Sequence, residues 1–414
     1  MVLPNFKENL QKYAKLLVSK GINVQDGHTV IINIDVDQAE FARLLTKEAY
    51  QLGAEEVIVK WTDDEITREK YLHTPQEVLT NIPQYKIDES EALIERKASR
   101  LSVRSADPDA LNGVDSSKLA ATMKATSEAL MAQRIATQAN KVSWTVAAAS
   151  GAAWAAKVFP ELETEEEQVD ALWNEIFKTC RVYEADPVKA WDEHEERLRS
   201  KASVLNEEQF DALHYTTPEG TDLTVGMPEN HIWDSAGAIN AQGEVFVANM
   251  PTEEVFSAPD GRRAEGIVKS TKPLSYSGNI IEGMTFTFKD GAVVDVTADK
   301  GEQVLKHLVE DNEGARRLGE VALVPHQSPI SQSGLVFFNT LFDENASNHL
   351  ALGSAYAFSI EGGTEMSQEE LAEHGINRSN VHVDFMIGSE TMNIDGIRKD
   401  GSRVAIFRNG DWAF

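Results

Sequence analysis

Four short stretches of this 414-residue chain set acidic or imidazole side chains beside apolar runs. ANMPTEEVF carries Glu253 and Glu254, and RLGEVALVP carries Glu320. FDENASNHLALGSAYAF carries Glu344, His349 and Tyr356, and VHVDFMIG carries His382 and Asp384. The last is the most telling. Read as a strand, it puts Val381, Val383, Phe385 and Ile387 on one face and His382, Asp384 and Met386 on the other. Same-face neighbours on a strand lie roughly 6.6 Å apart at the backbone, so an imidazole and a carboxylate there can close on one ion. A carboxylate in apolar surroundings must meet a cation, a donor or a proton. Arg317 and Arg378 stand only at the edges of these stretches, which leaves a metal ion as the simplest partner.

Taken singly, each glutamate is more often a helix cap or a surface residue than a ligand, and His349 alone reads as a satisfied core histidine. Charge counting joins them. Glu253, Glu320, Glu344 and Asp384 carry four negative charges, and His349 and His382 are neutral donors. Two divalent ions balance that set, with one carboxylate shared. This is the composition of a two-metal hydrolytic centre, in which the ions lie about 3.5–4 Å apart. Oxygen and nitrogen donors without a thiolate suit zinc, cobalt or manganese. Glu254, beside a ligand in the turn after Pro251, is the candidate general base.

Other chemistry finds less support. The turn after the first strand, DVDQAE, has no glycine to let a backbone approach a pyrophosphate. His194-Glu195 lies on a helix, but Leu198 stands where a zinc-protease motif needs a second histidine, so a solvated helix face is expected. There is no Gly-x-Ser-x-Gly elbow, and the single cysteine, Cys180, follows Phe177 in an apolar stripe and reads as core.

Two kinds of element must position these residues. Up to about Val204, short apolar strands alternate with long helical patterns: HTVIINI, EEVIVKW, RLSVRSA and KVSWTVAAA, with helices between, including one over 116–137. This predicts an α/β domain over 1–204, a mostly parallel sheet covered by helices. After Leu205 the strands come as hairpins, with turns at Asp290-Gly291 and Asp400-Gly401 and one helix over 301–311. This predicts an α+β, largely antiparallel domain over 205–414 carrying the metal site. The formal charge of −28, from 67 acidic and 39 basic residues, argues against nucleic acid and anionic membranes as partners. One cysteine excludes an internal disulfide, no stretch has the length of a membrane span, and the amphipathic N-terminus lacks a signal peptide's apolar core. A cytoplasmic protein is expected.

NMPTEEVFSAPD, TKPLSYSGNIIEG, LGEVALVP, ENASNHLALGSAY and VHVDFMIGS, in that order, resemble the metal-dependent aminopeptidases typified by aminopeptidases T, S and PepS. The resemblance extends over essentially the whole chain. It implies a homodimeric exopeptidase that acts on peptides with a free N-terminus and holds two metal ions in its C-terminal domain. By motif, it implies that Glu253 binds the first ion with His382 and Asp384, that Glu320 bridges, and that Glu344 and His349 hold the second. Tyr356 is then a catalytic hydroxyl. The rivals are a two-metal phosphoesterase or other dinuclear hydrolase, which should add Lys or Arg for its phosphate, and a non-catalytic binding protein with a degenerate site.

Overall fold

The computed structural model describes residues 3–276 and 279–414, with the backbone alone at Ser116. Ser277 and Gly278, inside TKPLSYSGNIIEG, lie outside the described residues. The chain forms two compact units, Met1–His194 with Gly237–Pro251, and Glu195–Ala236 with Thr252–Phe414. The first unit therefore takes back a stretch after residue 205, which a single cut in the sequence cannot express.

The first unit holds a four-stranded sheet: β1 (Thr29–Asp35), β2 (Glu56–Thr62), β3 (Ser99–Arg104) and β4 (Trp144–Ala148), in the order β2-β1-β3-β4. Every pairing is parallel. Parallel neighbours need crossovers, and helices such as Ala39–Gln51 and Gln84–Glu95 supply them. The expected helix over 116–137 is two, Ser116–Ala129 and Met131–Gln138, because Leu130 leaves the helical backbone region. Aromatic rings from three helices form the core: Tyr13 stacks on Phe41 at 5.4 Å, and Trp173 meets Phe41 edge-on at 5.8 Å. The buried Tyr13 hydroxyl donates to Ala148 O, which satisfies it. Cys180 is buried, as its stripe predicts.

His194 and Glu195 correct an expectation. Both are buried rather than solvated. They lie three and four residues after the buried Trp191 and just before the buried Leu198, on the inward stripe of helix Pro187–Glu208. Arg181 donates to His194 Nδ1 at 3.0 Å.

The second unit is built on antiparallel pairing. Its eight-stranded sheet runs from Ala292–Thr297 through Thr285–Lys289, Ala264–Lys269, Asp222–Gly226, Ala212–Thr216, Asn393–Ile397 and Arg403–Arg408 to Asp411–Trp412. The Asp290-Gly291 turn has φ of 51° and 76°, the left-handed pair that joins two twisted strands tightly. A second sheet carries the residues of chemical interest. Its strands are β5 (Val255–Ser257), β6 (Leu318–Leu323), β7 (His349–Gly353) and β8 (His382–Met386), in the order β8-β7-β6-β5 and all antiparallel.

Candidate metal centre

Register decides which side chains meet. Glu320 on β6 opposes Ala351 on β7, which opposes Asp384 on β8. In the next row, Phe256, Ala322, His349 and Met386 stand side by side. Gly353 opposes His382 in the row on the other side of Ala351 and Asp384. Directly opposed residues share a face, and alternate residues of a strand do too, so Glu320, His349, His382 and Asp384 all point to one side. The positions between them on that face are Ala322, Ala351 and Gly353, which leave room above the sheet. The alternation expected for VHVDFMIG is present: Val383 and Phe385 are buried on the opposite face.

Two groups of ligand atoms result, each gathered within 4.8 Å: Glu254, Glu320 and His349, and Glu320, His382 and Asp384. Glu320 belongs to both. Its Oε1 lies 3.5 Å from His349 Nε2, and its Oε2 lies 3.4 Å from His382 Nε2. Glu254 Oε2 is 3.4 Å from His349 Nε2, and Asp384 Oδ1 is 3.3 Å from His382 Nε2. These separations are long for charge-assisted hydrogen bonds, which close to about 2.7–2.9 Å. They match the edge of a ligand tetrahedron: two donors 2.0–2.1 Å from an ion stand about 3.3–3.4 Å apart.

The surroundings of the donors fit an ion as well. His349 Nδ1 donates to Ser347 O at 3.1 Å, and His382 Nδ1 donates to Ser354 O at 2.7 Å. A carbonyl can only accept, so both rings carry a proton on Nδ1 and turn Nε2 toward the carboxylates, as ligating histidines do. Gly353 makes the second contact possible. Its φ is +108°, and a Cβ there would fall 2.2 Å from Val381 O, blocking the pairing of β7 with β8 that brings Ser354 O to His382. Asp384 Oδ1 is buried and accepts no hydrogen bond.

Charge in this cluster is strongly coupled. Burial opposes ionisation of Glu320, but the facing imidazoles of His349 and His382 outweigh it and bring its carboxyl down to about 2. Burial also opposes charge on His349 and His382. The carboxylates facing them, Glu254 and Glu320 for one ring, Asp384 and Glu320 for the other, nevertheless raise both. Burial raises Glu254, and His349 offsets only part of that. In short, the anionic oxygens here demand cations, and protons on the imidazoles answer that demand where ions do not.

Tyr356 borders the cluster. Its ring centroid lies 5.3 Å from that of His382 and stacks on Phe358 at 5.1 Å, and Phe358 meets Phe256 edge-on. Burial around the hydroxyl, reinforced by Glu320, Asp384 and Glu344, pushes its pKa up to about 12. The group is therefore a protonated donor at neutral pH.

Residues 6–412 match the family described as thermophilic metalloprotease (M29). The chain belongs to the M29 metalloproteases. Like them it is a peptide-bond hydrolase, and membership implies a divalent metal. Aminopeptidase PepS of Streptococcus thermophilus is 68% identical, with both chains covered in full. Aminopeptidase AmpS of Bacillus subtilis is 53% identical at the same coverage. The solved structure of wild-type AmpT from Thermus thermophilus superposes with a TM-score of 0.93 at 41% identity, covering 99% of this chain and 100% of that one. The α/β unit with its four-stranded parallel sheet and the unit with the antiparallel sheets are thus the M29 architecture.

Within this M29 chain the adjacent glutamates take different places from those expected. Glu254, read as a base, has its carboxylate in a ligand group, and Glu253, read as a ligand, is in neither. The reason is strand parity. Glu254 is two residues before Phe256 and shares its face, so Glu253 belongs to the other. Glu320, His349, His382 and Asp384 come together. Their partition differs: Glu254 rather than Glu344 joins His349. Glu344 is in neither group, although burial and the charges of Glu254 and Asp384 raise its carboxyl well above the usual range. The carbonyls of Ser347 and Ser354 have no signature in the sequence, because any residue has a carbonyl.

Proposed function

We propose that the protein is an aminopeptidase that removes the N-terminal residue from peptides with a free N-terminus, using two divalent ions, zinc, cobalt or manganese. The observation that carries this reading is Glu320: each of its carboxylate oxygens faces a different histidine in a different ligand group. Glu254, His349 and Glu320 would hold one ion, and His382, Asp384 and Glu320 would hold the other. Glu344 completes the acidic shell beside the first. The names of the M29 relatives support the exopeptidase activity.

When bound, the ions supply Lewis acidity at the scissile carbonyl and a water activated near neutral pH. The chain's own residues do the rest. Ser347 O and Ser354 O hold the imidazoles in the tautomer that leaves Nε2 free. Tyr356 keeps its proton and donates a hydrogen bond to the oxyanion of the tetrahedral intermediate, a contribution of about 3–4 kcal/mol in comparable sites. The Phe256–Phe358–Tyr356 wall limits water on one side. We further propose that the enzyme works as a cytoplasmic homodimer, which light scattering of the purified protein tests. Among the described residues no helix is long and apolar enough to cross a membrane.

Three substrates test the activity: an aminoacyl anilide, its acyl-blocked form and a phenyl phosphate ester. Cleavage of the free anilide alone is expected. Cleavage of the blocked form would refute an exopeptidase, and cleavage of the phosphate ester alone would favour a phosphoesterase.

A further inference from the structure

Glu254 lies one residue before β5 and His349 opens β7; the two strands are not neighbours, and β6 lies between them. The ladder that runs from β5 through β6 to His349 ends at Val255, so backbone pairing alone does not set the 3.4 Å separation of the Glu254 and His349 ligand atoms. A contact outside the ladder must hold the stretch before β5 against the stretch before β7. Asn345 is placed to do so. It lies in the turn Glu344–Ala346 just before β7 and is fully buried. Its Oδ1 accepts the Glu253 N–H at 2.8 Å and the Thr252 hydroxyl at 3.3 Å. Its Nδ2 donates to Leu341 O at 3.0 Å, which fixes which way the amide points. One side chain thus joins the stretch that delivers Glu254 to the stretch that delivers His349, across more than ninety residues of sequence.

We infer that Asn345 is a positioning residue that sets the Glu254–Glu320–His349 group by clamping residues 252–254 onto the turn before His349. The inference rests on the two-ion reading above. It differs from a general structural role in being one-sided. The Glu320–His382–Asp384 group is built wholly from β6 and β8 and their backbone pairing through β7, and it does not depend on the clamp.

The test is titration of metal-free protein with cobalt(II) alone, followed by calorimetry and by the visible absorption of the bound ion. Wild type is expected to take up two ions. In Asn345→Ala one of them should bind at least tenfold more weakly and the other within threefold of wild type, with the far-ultraviolet circular dichroism unchanged. Asn206→Ala is the control. It loses two part-buried hydrogen bonds that join helix Pro187–Glu208 to Trp233, on segments that carry no candidate ligand, and both ions should bind as in wild type. Equal weakening of both sites in Asn345→Ala, or no weakening at either, overturns the inference. If wild type binds fewer than two ions, the two-ion reading fails instead. In that case, or if the alanine variant does not fold, hydrogen exchange of the Glu253 amide in wild type judges the clamp itself. Slow exchange is expected from an N–H bonded to a buried amide oxygen, and fast exchange overturns the inference.

Discussion

Glu320→Gln removes half a charge from each ligand group while keeping the shape of the side chain. Its size can be worked from the metal-free site. The two imidazoles move the Glu320 carboxyl from an ordinary 4.5 to about 2 against the pull of burial. That net difference corresponds to about 3 kcal/mol that the two imidazoles together supply beyond the cost of burial. The group is almost wholly buried, so solvent screens little of it. A divalent ion in place of an imidazolium proton meets the same carboxylate at least as strongly. Each ion should therefore bind at least about tenfold more weakly to the glutamine variant, since about half of that interaction falls to each and about 1.4 kcal/mol is one decade. Calorimetric titration of the metal-free proteins measures this directly. Turnover of an aminoacyl anilide should fall by orders of magnitude even at saturating metal, because both ions lose their shared ligand. Circular dichroism should be unchanged, since the substitution keeps the shape of the side chain and leaves the backbone pairing of Glu320 with Ala351 intact. Near-normal turnover at full occupancy of both sites would refute the bridging role.

Three further outcomes follow from the same geometry. Tyr356→Phe should lower kcat by about 10²–10³-fold and leave cobalt(II) affinity unchanged, because the hydroxyl is a donor to the reacting oxygen and ligates nothing; equal loss in metal affinity would contradict this. Ala351→Leu should abolish binding of the ion held by Glu320 and Asp384, because Ala351 lies between them on the same face; overpacking costs about 1–3 kcal/mol, so a modest fall in Tm should accompany it. Metal affinity should rise with pH. The carboxylates raise His349 and His382 in the metal-free protein, so each ring must lose its Nε2 proton to ligate. From pH 6 to 8, below those raised values, each ion should gain about tenfold in affinity per pH unit for the proton it displaces; a flat profile would show the rings already neutral.

Much of this architecture is legible without coordinates, for reasons that are local. Runs such as HTVIINI are short and rich in β-branched residues, which favours buried strands, and the helical stretches between them favour parallel pairing. Asp290-Gly291 tolerates the left-handed backbone of a tight hairpin, and it adopts one. His382 and Asp384 alternate with Val383 and Phe385, so their common face follows from the period of a strand. Even the burial of His194 and Glu195 has a local signal: they fall on the helical stripe of Trp191 and Leu198, and the stripe outranks their polarity.

The exchange of places between Glu253 and Glu254 is of another kind. Val255 and Phe256 are both apolar, so alternation cannot say which of them faces the core, and the glutamate parity hangs on that choice. Only pairing with β6, Phe256 against Ala322, resolves it. The sequence by itself determined the donor types, their excess of negative charge and the strands that carry them, because these depend on composition and on periods of a few residues. Tertiary structure alone decided which donors share an oxygen-lined space, which carbonyls orient the imidazoles and which amide ties β5 to β7. Those contacts join residues tens of positions apart, and only register and the ends of strands bring them within bonding distance.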